Sequence, residues 1–133
     1  MTEKQIENQI LHYLNYLPKC TAEKVNNIGV YDPKKQTYRT FKNKYCMRGV
    51  SDISGTFRGK SLRIEVKTPD EYKYIMKHYD ELSSGIFTKN VKKKQHFNDQ
   101  IRYLNRHSKA GAIAFFASSV DQVKEELAKW QKN

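Results

Sequence analysis

The stretch Gly49-Val50-Ser51-Asp52-Ile53-Ser54-Gly55-Thr56-Phe57-Arg58-Gly59-Lys60-Ser61-Leu62-Arg63-Ile64-Glu65-Val66-Lys67 leaves the backbone little choice. Its alternation of apolar and polar residues on both sides of Arg58-Gly59 predicts two short antiparallel strands joined across that dipeptide. With Arg58 and Gly59 as the loop, Phe57 pairs with Lys60, and counting back along both strands sets Asp52 opposite Glu65. Their Cβ atoms are then about 4.5–5.5 Å apart. Successive side chains of a strand point to opposite faces, so Lys67 shares the face of Glu65, while Leu62, Ile64 and Val66 join Ile53 and Phe57 on the other. Gly49 and Gly55 leave room for a close approach by a ligand or another backbone.

One face of this hairpin belongs to a core and the other gathers an Asp, a Glu and a Lys. Two carboxylates across a hairpin, with the Val66 carbonyl between Glu65 and Lys67, offer hard oxygen ligands for Mg²⁺, which takes one or two carboxylates and keeps several waters. Lys67 is suited to holding and helping to deprotonate a water, or to stabilising charge on a phosphoryl oxygen. The structural alternative is a cross-strand salt bridge from Asp52 or Glu65 to Lys67 on a solvated face, a common and weak arrangement.

The rest of the chain supplies the surroundings. Thr2 is a candidate N-cap for a helix carrying Ile6, Ile10, Tyr13, Leu14 and Leu17 at helical spacing, ended by Pro18. Glu7 falls inside the apolar sector of that helix, between Leu11 and Leu14, and Glu3 lies one turn earlier on nearly the same face. An acid facing a core is costly unless it meets a cation or metal; the alternative is a side chain at the margin of the stripe that reaches water.

Lys24 to Tyr31 reads as a strand, Asp32-Pro33-Lys34-Lys35 as a turn and Gln36 to Phe41 as a second short strand. Pro69 follows the hairpin, and Asp70 to Leu82 forms a tyrosine-rich helical stretch ending at Ser84-Gly85, either a substrate-contacting flap or a packed hairpin. A long helix from about Val91 to Ser108 has the stripe Phe97, Ile101 and Leu104, with Gln100 bordering it and Gln95 well away, and Ala110-Gly111 terminates it. Ala112 to Ala117 is a buried-strand pattern, and Ser118 or Ser119 caps a last helix through Val123, Leu127 and Trp130. The order is helix, strands, hairpin, helix, strand, helix, as expected of one α/β domain over residues 1–133.

A net charge of +11 on 133 residues points to a polyanionic partner, with nucleic acid the leading expectation and simple solubility the alternative. The basic, tyrosine-bearing segment offers Lys34, Lys35, Arg39, Lys42, Lys44 and Arg48 as candidate DNA contacts, and Lys92, Lys93 and Lys94 extend the set. Cys20 and Cys46 lack metal-ligand spacing and suit reduced residues of an intracellular protein. The absence of an apolar leader and of any run near the ~20 residues of a membrane span leads to the expectation of a soluble, cytoplasmic protein.

Gly49-Val50-Ser51-Asp52 followed by Ile64-Glu65-Val66-Lys67 resembles the PD-(D/E)XK nuclease signature. More closely, the chain resembles the VRR-NUC group of small phage and bacterial nucleases, in which a Glu-bearing helix precedes a Gly-x-x-Asp strand and a Glu-x-Lys strand, and a Gln-bearing helix leads to a Gly and an apolar strand. Glu3 and Glu7 in Glu-Lys-Gln-Ile-Glu, Asp52, Glu65, Lys67, Gln100 and Gly111 before Ala112-Ile113-Ala114-Phe115-Phe116 match that order over nearly the whole chain. Ser51 stands where the pattern often has Pro, and an insertion of about 69–94 separates Glu-x-Lys from the Gln helix.

The resemblance implies an α/β fold with a PD-(D/E)XK restriction-endonuclease-like core, a central mixed sheet flanked by helices in αβββαβ order, with a helical insertion after the Glu-x-Lys strand. It implies a divalent-metal-dependent endonuclease acting on DNA, a homodimer that cuts branched or Holliday-junction-like substrates. Asp52, Glu65 and the Val66 carbonyl would bind Mg²⁺ or Mn²⁺, with Glu7, or alternatively Glu3, completing the acidic site. Lys67 would position the hydrolytic water, and Gln100 would fix the water or a phosphate. Two other classes remain: a non-catalytic DNA-binding or adaptor module that keeps the nuclease fold, and a basic interaction protein without a nucleic-acid role.

Overall fold

The computed structural model describes residues 1–25, 30–32, 37–39 and 49–131, the two short middle segments through their backbone. Helix α1 (Glu3–Tyr16) is fastened at its start by a capping box: Gln5 N donates to Thr2 Oγ1, and Thr2 N donates to Gln5 Oε1. It is followed by β1 (Cys20–Lys24), β2 (Val30–Asp32), β3 (Thr37–Arg39), β4 (Ile53–Phe57) and β5 (Lys60–Val66). Three helices, α2 (Pro69–Lys77), α3 (Tyr79–Ser84) and α4 (Val91–Lys109), then lead to β6 (Ile113–Ala117) and α5 (Val120–Ala128).

Four strands form a mixed sheet in the order β1-β4-β5-β6, and β2 and β3 form a separate antiparallel pair. The β4–β5 hairpin has the expected register, Ile53 opposite Ile64 and Phe57 opposite Lys60. On its other side β5 pairs in parallel with β6, a connection that α2, α3 and α4 span.

One face of the sheet presents Ile53, Phe57, Leu62, Ile64, Val66, Ile113 and Ala117 to Ile6, Ile10 and Leu14 of α1 and to Val123 and Leu127 of α5. The opposite face carries a second core. Ile75, Leu82, Phe97, Ile101, Tyr103 and Leu104 pack there with Phe116 of β6. Between them the Asp70–Leu82 region therefore behaves as a packed hairpin, with Ile75 and Leu82 fully buried. It is two helices, broken at His78, and not one. Asn98 of α4 donates from Nδ2 to the Leu82 carbonyl at 2.7 Å, which satisfies a polar group inside this second core.

The strand expected over Lys24–Tyr31 divides differently. β1 ends at Lys24 and β2 begins at Val30, with residues 26–29 outside the described ones. Cys20-Thr21-Ala22-Glu23-Lys24 has little apolar alternation because β1 is an edge strand paired with β4 alone. Asn15 of α1 satisfies part of the other edge, donating to the Ala22 carbonyl and accepting from the Ala22 N–H, both at 2.9 Å.

Gly49 controls how closely α4 approaches the sheet. Its φ is +73°, and a Cβ there would lie 2.5 Å from the Asp99 carbonyl carbon and 2.7 Å from Gln100 N, both backbone atoms of α4. Gly59, at φ +85° in the hairpin loop, has nothing within 4 Å of the same position. Gly49→Ala is therefore expected to lower unfolding free energy by about 3 kcal/mol or more, through backbone collision added to left-handed strain, whereas Gly59→Ala costs about 1 kcal/mol from strain alone. Equilibrium denaturant unfolding of the two variants checks this, and equal losses would contradict it.

Candidate active site

Asp52 and Glu65 lie at one end of the β4–β5 hairpin, and Lys67 follows the last residue of β5. The Asp52 Oδ2 accepts a hydrogen bond from the Val66 N–H at 2.9 Å, which ties the loop acid to the strand and fixes its orientation. Lys67 N donates to the Ala117 carbonyl at 2.9 Å, extending the parallel pairing of β5 with β6 past the end of the strand. Glu65 and Lys67 project from the face opposite Val66, toward α4.

Helix α4 converts this strand end into a buried site. Glu65 and Lys67 are each only 3% exposed. Gln100 Nε2 donates to Glu65 Oε1 at 2.7 Å, Lys67 Nζ stands 3.9 Å from the same oxygen, and the Phe97 ring centroid is 5.0 Å from Lys67 Nζ. The weak solvated salt bridge is thus not what forms. Glu65 and Lys67 are a desolvated pair, which low dielectric makes both stronger and costlier than a surface one.

Gln100, not Gln95, reaches the site, as helical phase implies; Gln95 bonds to Asn98 and Asp99 on its own helix.

A cavity of about 490 Å³ opens beside these groups, lined by Glu3, Gly49, Val50, Asp52, Glu65, Lys67, Glu71, His96 and Gln100. The acid that α1 contributes to its wall is Glu3. Glu7, one turn on, is buried outside the lining with its Oε1 3.3 Å from Lys24 Nζ, so it joins α1 to the end of β1. Both acids do lie on the inward side of α1; the direction of the helix axis decides which of them borders the cavity.

Burial pushes the Glu65 carboxyl up to about 10, the Asp52 charge pushes in the same direction, and Lys67 only partly opposes them. The Glu3 carboxyl is also raised, first by burial; Lys67 opposes this, and Asp52, Glu71 and Glu7 add to it. Acidic groups this close favour either a retained proton or a bound cation.

The donor set fits a hard divalent cation. Glu65 Oε2 and Gln100 Oε1 are buried with no hydrogen-bond partner among the described residues, and both residues line the cavity. Asp52 and Glu65 supply two carboxylates, the number Mg²⁺ typically takes from a protein. Among the described residues no three Asp, Glu, His or Cys side chains converge as a ready-made cage, so such an ion would keep waters in its shell.

His96 and Glu71 line the cavity without having been singled out from the sequence. Both had a signal. His96 is one turn before Gln100 on the same helix, and Glu71 stands three residues after Thr68, whose hydroxyl caps α2 by accepting from Glu71 N.

Of the candidate DNA contacts, Lys34, Lys35, Lys42, Lys44 and Arg48 lie outside the described residues, and Arg39 is in β3. Lys94 is engaged with Glu81, Nζ to Oε2 at 2.6 Å, and Lys93 sits 4.8 Å from the Tyr74 ring centroid, while Lys92 is exposed. Among the described residues no helix is long and apolar enough to cross a membrane.

Compared with models of known protein families and with curated proteins, the chain matches none.

The raised Glu65 carboxyl has a consequence for stability. The folded state holds the Glu65 proton above the ordinary value of 4.5, so the unfolded chain binds fewer protons and metal-free stability falls as pH rises from there toward about 10. One group contributes a slope of at most about 1.4 kcal/mol per pH unit. Glu65→Gln keeps the shape and removes the ionisation, so in a chelator at pH 8 it is expected to melt at a higher temperature than the parent, with the gap closing at pH 4. Thermal melts across that range test this; a parent that is the more stable at pH 8 would refute it.

Proposed function

We propose that this protein is a divalent-metal-dependent nuclease that hydrolyses phosphodiester bonds in DNA, with the core and site plan of the VRR-NUC group of PD-(D/E)XK nucleases. The observation that carries the proposal is the buried Glu65: gripped by Gln100 at 2.7 Å, beside Lys67 and Asp52, with one oxygen unsatisfied at the wall of an open cavity. A fold retains an ionisable cluster at such a desolvation cost more readily for chemistry than for stability. The mixed four-stranded sheet with helices on both faces, and a Glu-x-Lys strand between an antiparallel and a parallel neighbour, are consistent with that core.

In this reading Asp52, Glu65 and the Val66 carbonyl hold Mg²⁺ or Mn²⁺, which when bound supplies Lewis-acid stabilisation of charge on a phosphoryl oxygen. Asp52 is pre-oriented by the Val66 N–H, and Gln100 holds the Glu65 carboxylate in one rotamer. Lys67, packed on Phe97, presents its ammonium to the hydrolytic water and to the negative charge that develops on the phosphate. Glu3 is the helix acid that borders the cavity, and Glu7 supports α1 from behind.

The net charge of +11 favours a polyanionic substrate. A homodimer acting on branched or Holliday-junction-like DNA, in the cytoplasm of a bacterial or phage-infected cell, belongs to the same proposal. A second reading, a non-catalytic DNA-binding module, is favoured by one observation: Gln100 and Lys67 already engage one Glu65 oxygen, by a hydrogen bond at 2.7 Å and a contact at 3.9 Å.

One cleavage assay separates the two. Junction, flap, nicked and plain duplex DNA are incubated with Mg²⁺ or Mn²⁺. Asp52→Ala, Glu65→Ala and Lys67→Ala are each expected to lose on the order of 10²-fold or more in rate while still binding DNA. Undiminished cleavage by Asp52→Ala, or no turnover by the parent on any substrate, sinks the nuclease reading.

The two helix acids part company as well. Glu3→Ala is expected to cut turnover with little change in melting temperature, and Glu7→Ala to lower the melting temperature by several degrees through loss of its link to Lys24. The reverse pattern would make Glu7 the acid of the site.

A further inference from the structure

A second cavity lies at the other end of the same hairpin. It measures about 260 Å³ and is lined by Lys19, Phe57, Arg58, Lys60 and Trp130. Three of its five residues are cations, one is the chain's single tryptophan, and none is acidic. Lys60 opens β5 and Lys67 follows its last residue, so roughly 23 Å of extended strand separates this cavity from the carboxylates. Phe57 belongs to the core under α1 and α5, which puts the second cavity on the opposite face of the sheet as well.

The cations are held there by the backbone. Lys19 follows α1 with φ 56°, Arg58 opens the hairpin loop with φ 50°, and the Arg58 N–H donates to the Lys19 carbonyl at 2.8 Å, locking the two turns together. Left-handed backbone is uncommon for residues with a Cβ, yet two basic side chains stand in it next to one another. Lys60 Nζ is 5.2 Å from the Trp130 ring centroid, and the Arg58 guanidinium carbon is 5.8 Å from that of Phe57. Trp130 is 39% exposed. Like charges brought together without a carboxylate repel one another, and an anion removes that cost.

We propose that this cavity is a contact site for a single nucleic-acid strand, with an unpaired base on the Trp130 ring and its phosphates on Lys19, Arg58 and Lys60. The ligand must be anionic to relieve three cations and must carry a flat π-face to replace the Lys60 ammonium over the indole. The volume suits about one nucleotide unit and not the width of a duplex, in which bases are stacked and paired and offer no free face. Lys60, on a flexible stem, swings from the ring to a phosphate as the base arrives. The site stands apart from the carboxylate cavity and does not rest on metal-dependent hydrolysis.

Trp130 is its own reporter. In chelator and low salt, the intact protein is titrated with an oligothymidylate of about ten nucleotides, and indole fluorescence is followed. The expected result is saturable quenching that added salt reverses, with Lys60→Glu and Arg58→Ala each weakening binding about tenfold. Trp130→Ala is followed through the anisotropy of a labelled oligomer and is expected to weaken by a similar factor, with circular dichroism showing the fold intact.

Thymidine monophosphate, inorganic tripolyphosphate and polyglutamate serve as separate arms. Equal affinity for the monophosphate would mean a free-nucleotide site, equal affinity for tripolyphosphate a plain anion site, and equal affinity for polyglutamate an acidic-protein site; each overturns the proposal. Absence of quenching, or unchanged affinity in folded Lys60→Glu, overturns it too.

Discussion

The desolvated contact among Glu65, Lys67 and Gln100 is the constraint on which the rest of the structure depends. A carboxylate and an ammonium taken out of water lose hydration worth several kcal/mol apiece, and one long contact at 3.9 Å does not restore it. The deficit is met from several directions. Gln100 adds a short hydrogen bond, the Phe97 ring faces Lys67, and the remaining tension appears as a Glu65 carboxyl that holds its proton far above the ordinary range. Each of these contributions comes from α4 or from the neighbouring acids, so the site exists only where α4 is pressed against the sheet.

What presses it there is apolar packing farther along the same helix. Ile101 and Leu104 continue the stripe from Phe97 onto Phe116 of β6, and Ile75 and Leu82 close the other side. Gly49 removes the obstacle, because its missing Cβ is the space that the backbone at Asp99 and Gln100 occupies. The insertion between β5 and α4 is therefore part of the support for the site: its two buried side chains help hold the helix that carries Gln100. Stability is supplied by the two hydrophobic layers, and the polar cluster draws on it.

Much of the site was legible because strands and helices have fixed periods. The register through Arg58-Gly59 placed Asp52 beside Glu65, alternation placed Lys67 with them, and the 3.6-residue period chose Gln100 over Gln95. Less was legible where the chain's local pattern is weak. β1 is a polar edge strand held partly by the Asn15 side chain, a tertiary contact that hydrophobic patterning does not announce, and the break at His78 that makes two helices of one has no glycine or proline to mark it.

The sequence by itself determined the elements and their faces: the hairpin register, the inward side of α1, the stripe of α4 and the buried run of β6. These follow from local stereochemistry and hydrophobic periodicity, which act over a few residues. Only the tertiary structure decided that the Glu65–Lys67 pair is buried, that Glu3 borders the cavity while Glu7 turns to Lys24, and that Lys19, Arg58, Lys60 and Trp130 meet at the far end. Those outcomes depend on how helices are inclined to the sheet and on which distant segments share a space. Such long-range geometry is set by the packing of whole faces against one another, and no single stretch of chain encodes it.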